Sequence, residues 1–159
     1  VKRGRRARSE RGAVLAEFAI AVVPLLATFF AFFQVTKLQT AKLVLAHASV
    51  VGVRTAIVTS NAKGNNPGVP ADNRMPERAV LATLDPWIAA KSFSDVDIEV
   101  EDDSSHKDPS GPVTVTVRAS VTCAVPMMGR VICKGPQKRL AASATMPHQG
   151  ARYLLDSER

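Results

Sequence analysis

Residues 18–33 read FAIAVVPLLATFFAFF, with no charged side chain among them. Extended to 13–36, the stretch is 24 residues long and its only charge is Glu17. A run of about 20 predominantly apolar residues, rising 1.5 Å each, crosses a hydrocarbon core of roughly 30 Å. This stretch is therefore expected to span a membrane. Residues 1–12 hold Lys2, Arg3, Arg5, Arg6, Arg8 and Arg11 against Glu10. By the positive-inside rule, that end stays cytoplasmic and the remainder lies outside. A cleaved secretory signal is the competing reading. Such signals carry an apolar region of about 7–15 residues followed by a small-x-small site, whereas this run is longer and continues into a helical pattern.

Locating the charge changes its meaning. The formal net charge of +7 suggests nucleic acid at first sight. Beyond residue 12, however, 15 basic side chains face 13 acidic ones. The body is nearly neutral, and no nucleic-acid partner is expected. With 159 residues, the chain has room for one globular domain and an appendage. Ordinary Gly and Pro contents exclude collagen-like and low-complexity classes, and two cysteines exclude a disulfide-dense scaffold.

Glu17 is the least expected residue of the span. A carboxylate at the centre of a membrane helix costs about 2.5–3.5 kcal/mol, and intramembrane ionisable groups mark functional sites by default. Its position near the start of the span relieves part of that cost at the interface. The residues around it, Arg11-Gly12-Ala13-Val14-Leu15-Ala16-Glu17-Phe18, resemble a type IV prepilin processing site. In that class a Gly is followed, after four residues, by Glu and an aromatic. Together with Pro24-Leu25-Leu26 after a short apolar run, the pattern is similar to the TadE/TadF minor pilins of the tight-adherence (Tad/Flp) system. The likeness covers about 13–58 well; beyond it, only the general plan of helices and strands and the stretch 143–146 are similar.

The resemblance implies a leader at 1–12 and cleavage between Gly12 and Ala13 by a membrane-embedded prepilin peptidase. Gly, lacking a side chain, lets the backbone enter a narrow cleft in extended form. Glu17, with Phe18 completing the motif, would serve assembly. The carboxylate would pair with the α-ammonium that cleavage creates on a neighbouring subunit, since a buried charge is tolerable only with a partner. Pro24 removes a helix donor, and a kink is expected there. The implied partners are the prepilin peptidase, other pilin subunits, Tad assembly-platform proteins and the lipid bilayer. The implied location is a bacterial inner membrane, single-pass, and after assembly an extracellular pilus. The alternative is an uncleaved membrane-anchored accessory protein with an extracytoplasmic binding domain.

After the span, Leu38, Ala41, Leu45, Ala48, Gly52 and Thr55 recur at steps of three and four, a narrow seam of small residues suited to close helix packing. A helix over 13–58 is expected, about 69 Å long at 1.5 Å per residue. Residues 59–73 are loop by composition. Asp72 or Asn73 offers an N-cap to a second helix with Pro76 and Glu77 in its first turn. Val80, Leu81 and Leu84 are expected on its buried face, Pro86 to interrupt it, and Trp87 to anchor the core. The period then changes to two. Residues 95–101 alternate acids with Val96, Ile98 and Val100; 113–123 alternate Val, Ala and Cys with polar residues; 138–146 form a third strand with Leu140, Ala142, Ala144 and Met146 inward. The acids read as a solvated face, since EF-hand spacing is absent, and Arg118 is expected opposite them. The expected fold is α+β: a long membrane helix, then a small extracytoplasmic domain over 59–147 with one or two short helices and a three-stranded antiparallel sheet, and a polar tail.

Cys123 and Cys133 enclose nine residues between the last two strands. Outside the cytoplasm a disulfide is expected. The loop tip, Pro126-Met127-Met128-Gly129, is either a partner contact or the end of a stapled hairpin. No metal or cofactor site is expected. His47, His106 and His148 are scattered, and neither a nucleophile elbow nor a Gly-rich phosphate loop is present, so the expected mode of action is binding, not catalysis.

Overall fold

A computed structural model describes the backbone of 3–59, 74–103 and 110–149, and the side chains of these segments from Val14 onward. The element order is α1 (Arg3–Thr59), α2 (Arg74–Ala89), β1 (Phe93–Asp102), β2 (Pro112–Thr122), α3 (Gly129–Cys133) and β3 (Gln137–Pro147). The fold is α+β, with an open antiparallel sheet in the order β1-β2-β3. The expected 59–73 loop, apart from Thr59, lies outside the described residues, as do Asp72, Asn73 and His106. The chain divides into two compact units. One holds the chain up to Lys37 with Cys123–Pro136; the other holds Leu38–Thr122 with the chain from Gln137 on.

In the second unit, the later part of α1 is covered because its small residues let the sheet approach. Ala41, Leu45, Ala48 and Gly52 of the expected seam are buried, while Leu38 and Thr55 are half-buried. The stripe is wider than the seam: Val53, Ala56 and Ile57 join it. A helix that faces a sheet needs an apolar arc of about 100° or more, where a coiled-coil seam needs less. A Cβ on Gly52 would meet Val80 Cγ2 at 2.6 Å and Val115 Cγ1 at 3.0 Å. The seam therefore serves contact with α2 and β2 in place of a second long helix.

Strand β2 is the centre of the core. Val113, Val115, Val117 and Ala119 are fully buried, each alternating with a polar residue, as period-two patterning dictates. Fully burying a Val contributes on the order of 1.5–3 kcal/mol. Leu140, Ala142, Ala144 and Met146 of β3 pack against this core from half-buried positions. Strand β1 begins at Phe93, ahead of the expected 95, because a bulge changes its register: Asp95 and Val96 together oppose Ala119 between the pairs Ser94↔Ser120 and Asp97↔Arg118. Asp95 supplies the positive φ of 50°. One extra residue brings both Phe93 and Val96 to the core side.

Helix α2 runs through Pro86, which was expected to interrupt it. Pro86 removes one donor, but its carbonyl accepts from Ala90 N at 3.1 Å, and Trp87 packs on Phe93 with ring centroids 5.8 Å apart. Val80 and Leu84 are buried, whereas Leu81 is 37% exposed and does not share their face. His148, expected in the tail, is buried and its N–H donates to Gly111 O at 3.0 Å.

Candidate functional site

The first part of α1 is bare. Val14, Leu15, Phe18, Ile20, Leu25, Phe29 and Phe32 are all more than half exposed. Val14–Thr59 is the one helix among the described residues long and apolar enough to cross a membrane, and none of its most apolar window is buried. Its hydroxyls are turned inward: Thr28 donates to Leu25 O at 2.8 Å and Thr36 to Phe32 O at 3.0 Å. These bonds leave fewer polar groups to be met by an apolar surrounding.

Each expected site residue in this region lies on α1. Gly12 and Ala13 are within its helical backbone. The helix starts at Arg3, ahead of the expected 13, and passes through Gly12; Arg and Ala are good helix formers, and one Gly costs only about 1 kcal/mol against Ala. Glu17 and Phe18 are exposed and adjacent. Pro24 lies inside the helix, which is continuous on both sides of it.

Cys123 and Cys133 are joined, with Cα atoms 6.4 Å apart. The bridged segment, expected as a loop, contains the single-turn helix α3, closed at Lys134 by a left-handed residue with φ 55°. Cys123 N donates to Pro136 O at 2.9 Å and Gly129 N to Val125 O at 2.9 Å, which folds the segment back on itself. A Cβ on Gly129 would lie 2.8 Å from Cys123 O, so only Gly fits this approach.

Gln34 is the residue that sequence reasoning missed. It is fully buried, and its Nε2 donates to Cys133 Sγ at 3.5 Å. Its Oε1 is buried without a partner among the described residues. Within the first unit, this amide sits where the disulfide meets α1. The signal for it was one amide between Phe33 and Val35 in an otherwise apolar run. Beside it, a groove of about 400 Å³ is lined by Phe29, Phe30, Phe33 and Lys37 of α1 and by Ala124, Val125 and Pro126 of the bridged segment.

The sheet's outer face is polar. Arg118 Nη1 donates to Glu99 Oε2 at 2.7 Å and lies 3.5 Å from Asp97 Oδ2, as the alternation of β1 and β2 led us to expect. The hydrogen bond and charge of Glu99 hold the guanidinium above its ordinary pKa. Asp97, Glu99 and Glu101 are exposed, and among the described residues no group of three or more His, Cys, Asp or Glu is placed to hold a metal.

Comparison with protein-family models, curated proteins and solved structures finds no match for the chain. The functional reading therefore rests on this geometry and on the residue pattern around Glu17. The structure brings Gln34 to the disulfide and places Phe29, Phe30 and Phe33 along the groove beside it; the residues expected to serve cleavage and assembly lie earlier on α1.

Proposed function

We propose that the chain is a TadE/TadF-like minor pilin of the Tad/Flp system, cleaved by a prepilin peptidase and required for pilus assembly. It acts by binding. The observation that most supports this reading is the bare apolar part of α1 with Glu17 exposed within it. A helix that is apolar all round and left largely exposed by its own chain calls for lipid or other helices around it. In the bilayer it is an anchor at the bacterial inner membrane; in a filament its neighbours are equivalent helices. Glu17 makes no ion pair among the described residues. In an apolar helix bundle it needs a cation, and cleavage after Gly12 supplies the Ala13 ammonium of an adjacent subunit. The unit that carries the sheet then provides the outward surface.

One observation favours the uncleaved alternative. The backbone of α1 is helical through Gly12 and Ala13, so that bond must unwind before a peptidase cleft can admit it. Gly12 makes the unwinding easier, because Gly is a poor helix residue by about 1 kcal/mol.

Glu17→Ala tests the assembly role. Insertion and cleavage should persist, since removing a charge lowers the cost of entering the membrane. Assembly should fail, because an unpaired ammonium among apolar helices costs on the order of 3–5 kcal/mol. Glu17→Asp, which keeps the charge but shortens its reach, should be intermediate. The measurement is fractionation between inner membrane and sheared surface material, alongside a cleavage blot. Wild-type assembly by Glu17→Ala would reduce the residue to an interfacial bystander.

A further inference from the structure

The bridged segment presents apolar side chains that its fold does not use. Met127 is 56% exposed and Val131 67% exposed, and Pro126 is exposed as well. Their place along α1 gives this exposure a meaning. The groove between the segment and α1 is walled by Phe29, Phe30 and Phe33. About 20 residues counted from Ala13 cross the hydrocarbon core, which puts these phenylalanines at its far boundary. The segment that shares this groove with them, and accepts from Gln34 at Cys133, lies at the same depth.

We propose that the disulfide-closed segment is a second membrane contact: Met127 and Val131 enter the outer leaflet beside the span, and the groove at Phe29, Phe33, Val125 and Pro126 takes a phospholipid acyl chain. The proposal rests on the reading of α1 as bilayer-spanning. Lipid is favoured by continuity, since the groove is a lateral extension of the bare face of α1. Charge favours it too. Lys37 lines the groove, and Arg130 and Lys134 are exposed on the segment itself. Basic side chains at this level keep their stems in apolar surroundings and reach headgroup phosphates with their tips. The groove's volume of about 400 Å³ lies within the range of roughly 300–1,000 Å³ of small-molecule sites. The bridge has a role in this arrangement, because it holds α3 and the tip against Gln34. The bulk of α3 alone is too short to be an independent interfacial helix.

The test places one indole at a time in the full chain. The single tryptophan, Trp87, is replaced in a Trp87→Phe background, into which either Leu25→Trp or Met127→Trp is introduced. Each protein is reconstituted in phosphatidylcholine–phosphatidylglycerol nanodiscs whose acyl chains carry bromine both near the headgroup end, the depth expected of 127, and at mid-chain, the depth expected of 25. The expected result is that both indoles lose most of their emission and that the one at 127 is blue-shifted. Quenching at 25 without quenching at 127 would overturn the second contact and leave the span intact. A blue shift at 127 without quenching would show burial against protein and overturn it equally. Quenching at neither position would overturn the span as well. Should Met127→Trp fail to fold, Val131→Trp gives the same readout.

Discussion

Two parts of one helix, α1, face opposite environments. From 14 to 33 its leucines, and its phenylalanines apart from the half-buried Phe30, are exposed, while from 41 to 57 Ala41, Leu45, Ala48, Gly52, Val53, Ala56 and Ile57 are buried. The difference is one of pattern. The later part concentrates small and apolar residues on one arc and puts Lys42, His47 and Arg54 off it, all exposed. A sheet can settle against that arc. The earlier part is apolar all round, so no single arc is specified for a partner in the same chain. The first pattern directs intramolecular folding, and the second selects an environment.

The strongest way to break this comparison is a matched pair of truncations. Leu45→Ala removes a fully buried side chain and should cost about 2–5 kcal/mol in a denaturant unfolding curve of the solubilised protein. Leu25→Ala, at a position 66% exposed, should leave that curve within about 0.5 kcal/mol. Equal effects at both positions would mean that the earlier part is also packed within the chain.

Removing the bridge by Cys123→Ser with Cys133→Ser should cost about 3 kcal/mol on the chain-entropy estimate for so short a loop. Hydrogen exchange should show the loss of protection concentrated in α3. Gly52→Ala sharpens the comparison from the covered side. Overpacking against Val80 and Val115 should cost about 1–3 kcal/mol, offset by about 1 kcal/mol of helix propensity. The same melting experiment decides whether the net sign is destabilising. The smallest effect is expected for Arg118→Ala. Its ion pairs with Glu99 and Asp97 are solvent-exposed, and such pairs are screened by salt and weak. Its melting curve should overlay that of the parent protein at physiological ionic strength.

Much of the sheet was legible because period-two alternation is both a local property and the rule that places a side chain on a face. Val113 to Val121 needed nothing further. The bulge was not legible: Asp95 continues the alternation of acids that follows it, and only the pairing with β2 reveals that it is the extra residue. Pro86 misled because a lost donor near a helix end is a small deficit that the packing of Trp87 outweighs. Helix α3 escaped notice because one turn has no periodicity. Gln34 could not be understood from its neighbours, since its partner Cys133 lies 99 residues away. Of the candidate site, Gly12, Glu17, Phe18 and Pro24 were recognisable as a pattern, and Cys123 and Cys133 as a pair. The partners proposed for Glu17 belong to other chains, so neither the sequence nor the fold of one subunit contains them.

The most direct test of the proposed pilin role is the N-terminal sequence and intact mass of the protein purified from native envelopes. Cleavage predicts a chain that starts at Ala13 and has lost residues 1–12, with its new α-amino group available to an adjacent Glu17. Recovery of only chains that retain residues 1–12, from cells with an active prepilin peptidase, would contradict the account and leave the uncleaved anchor in its place.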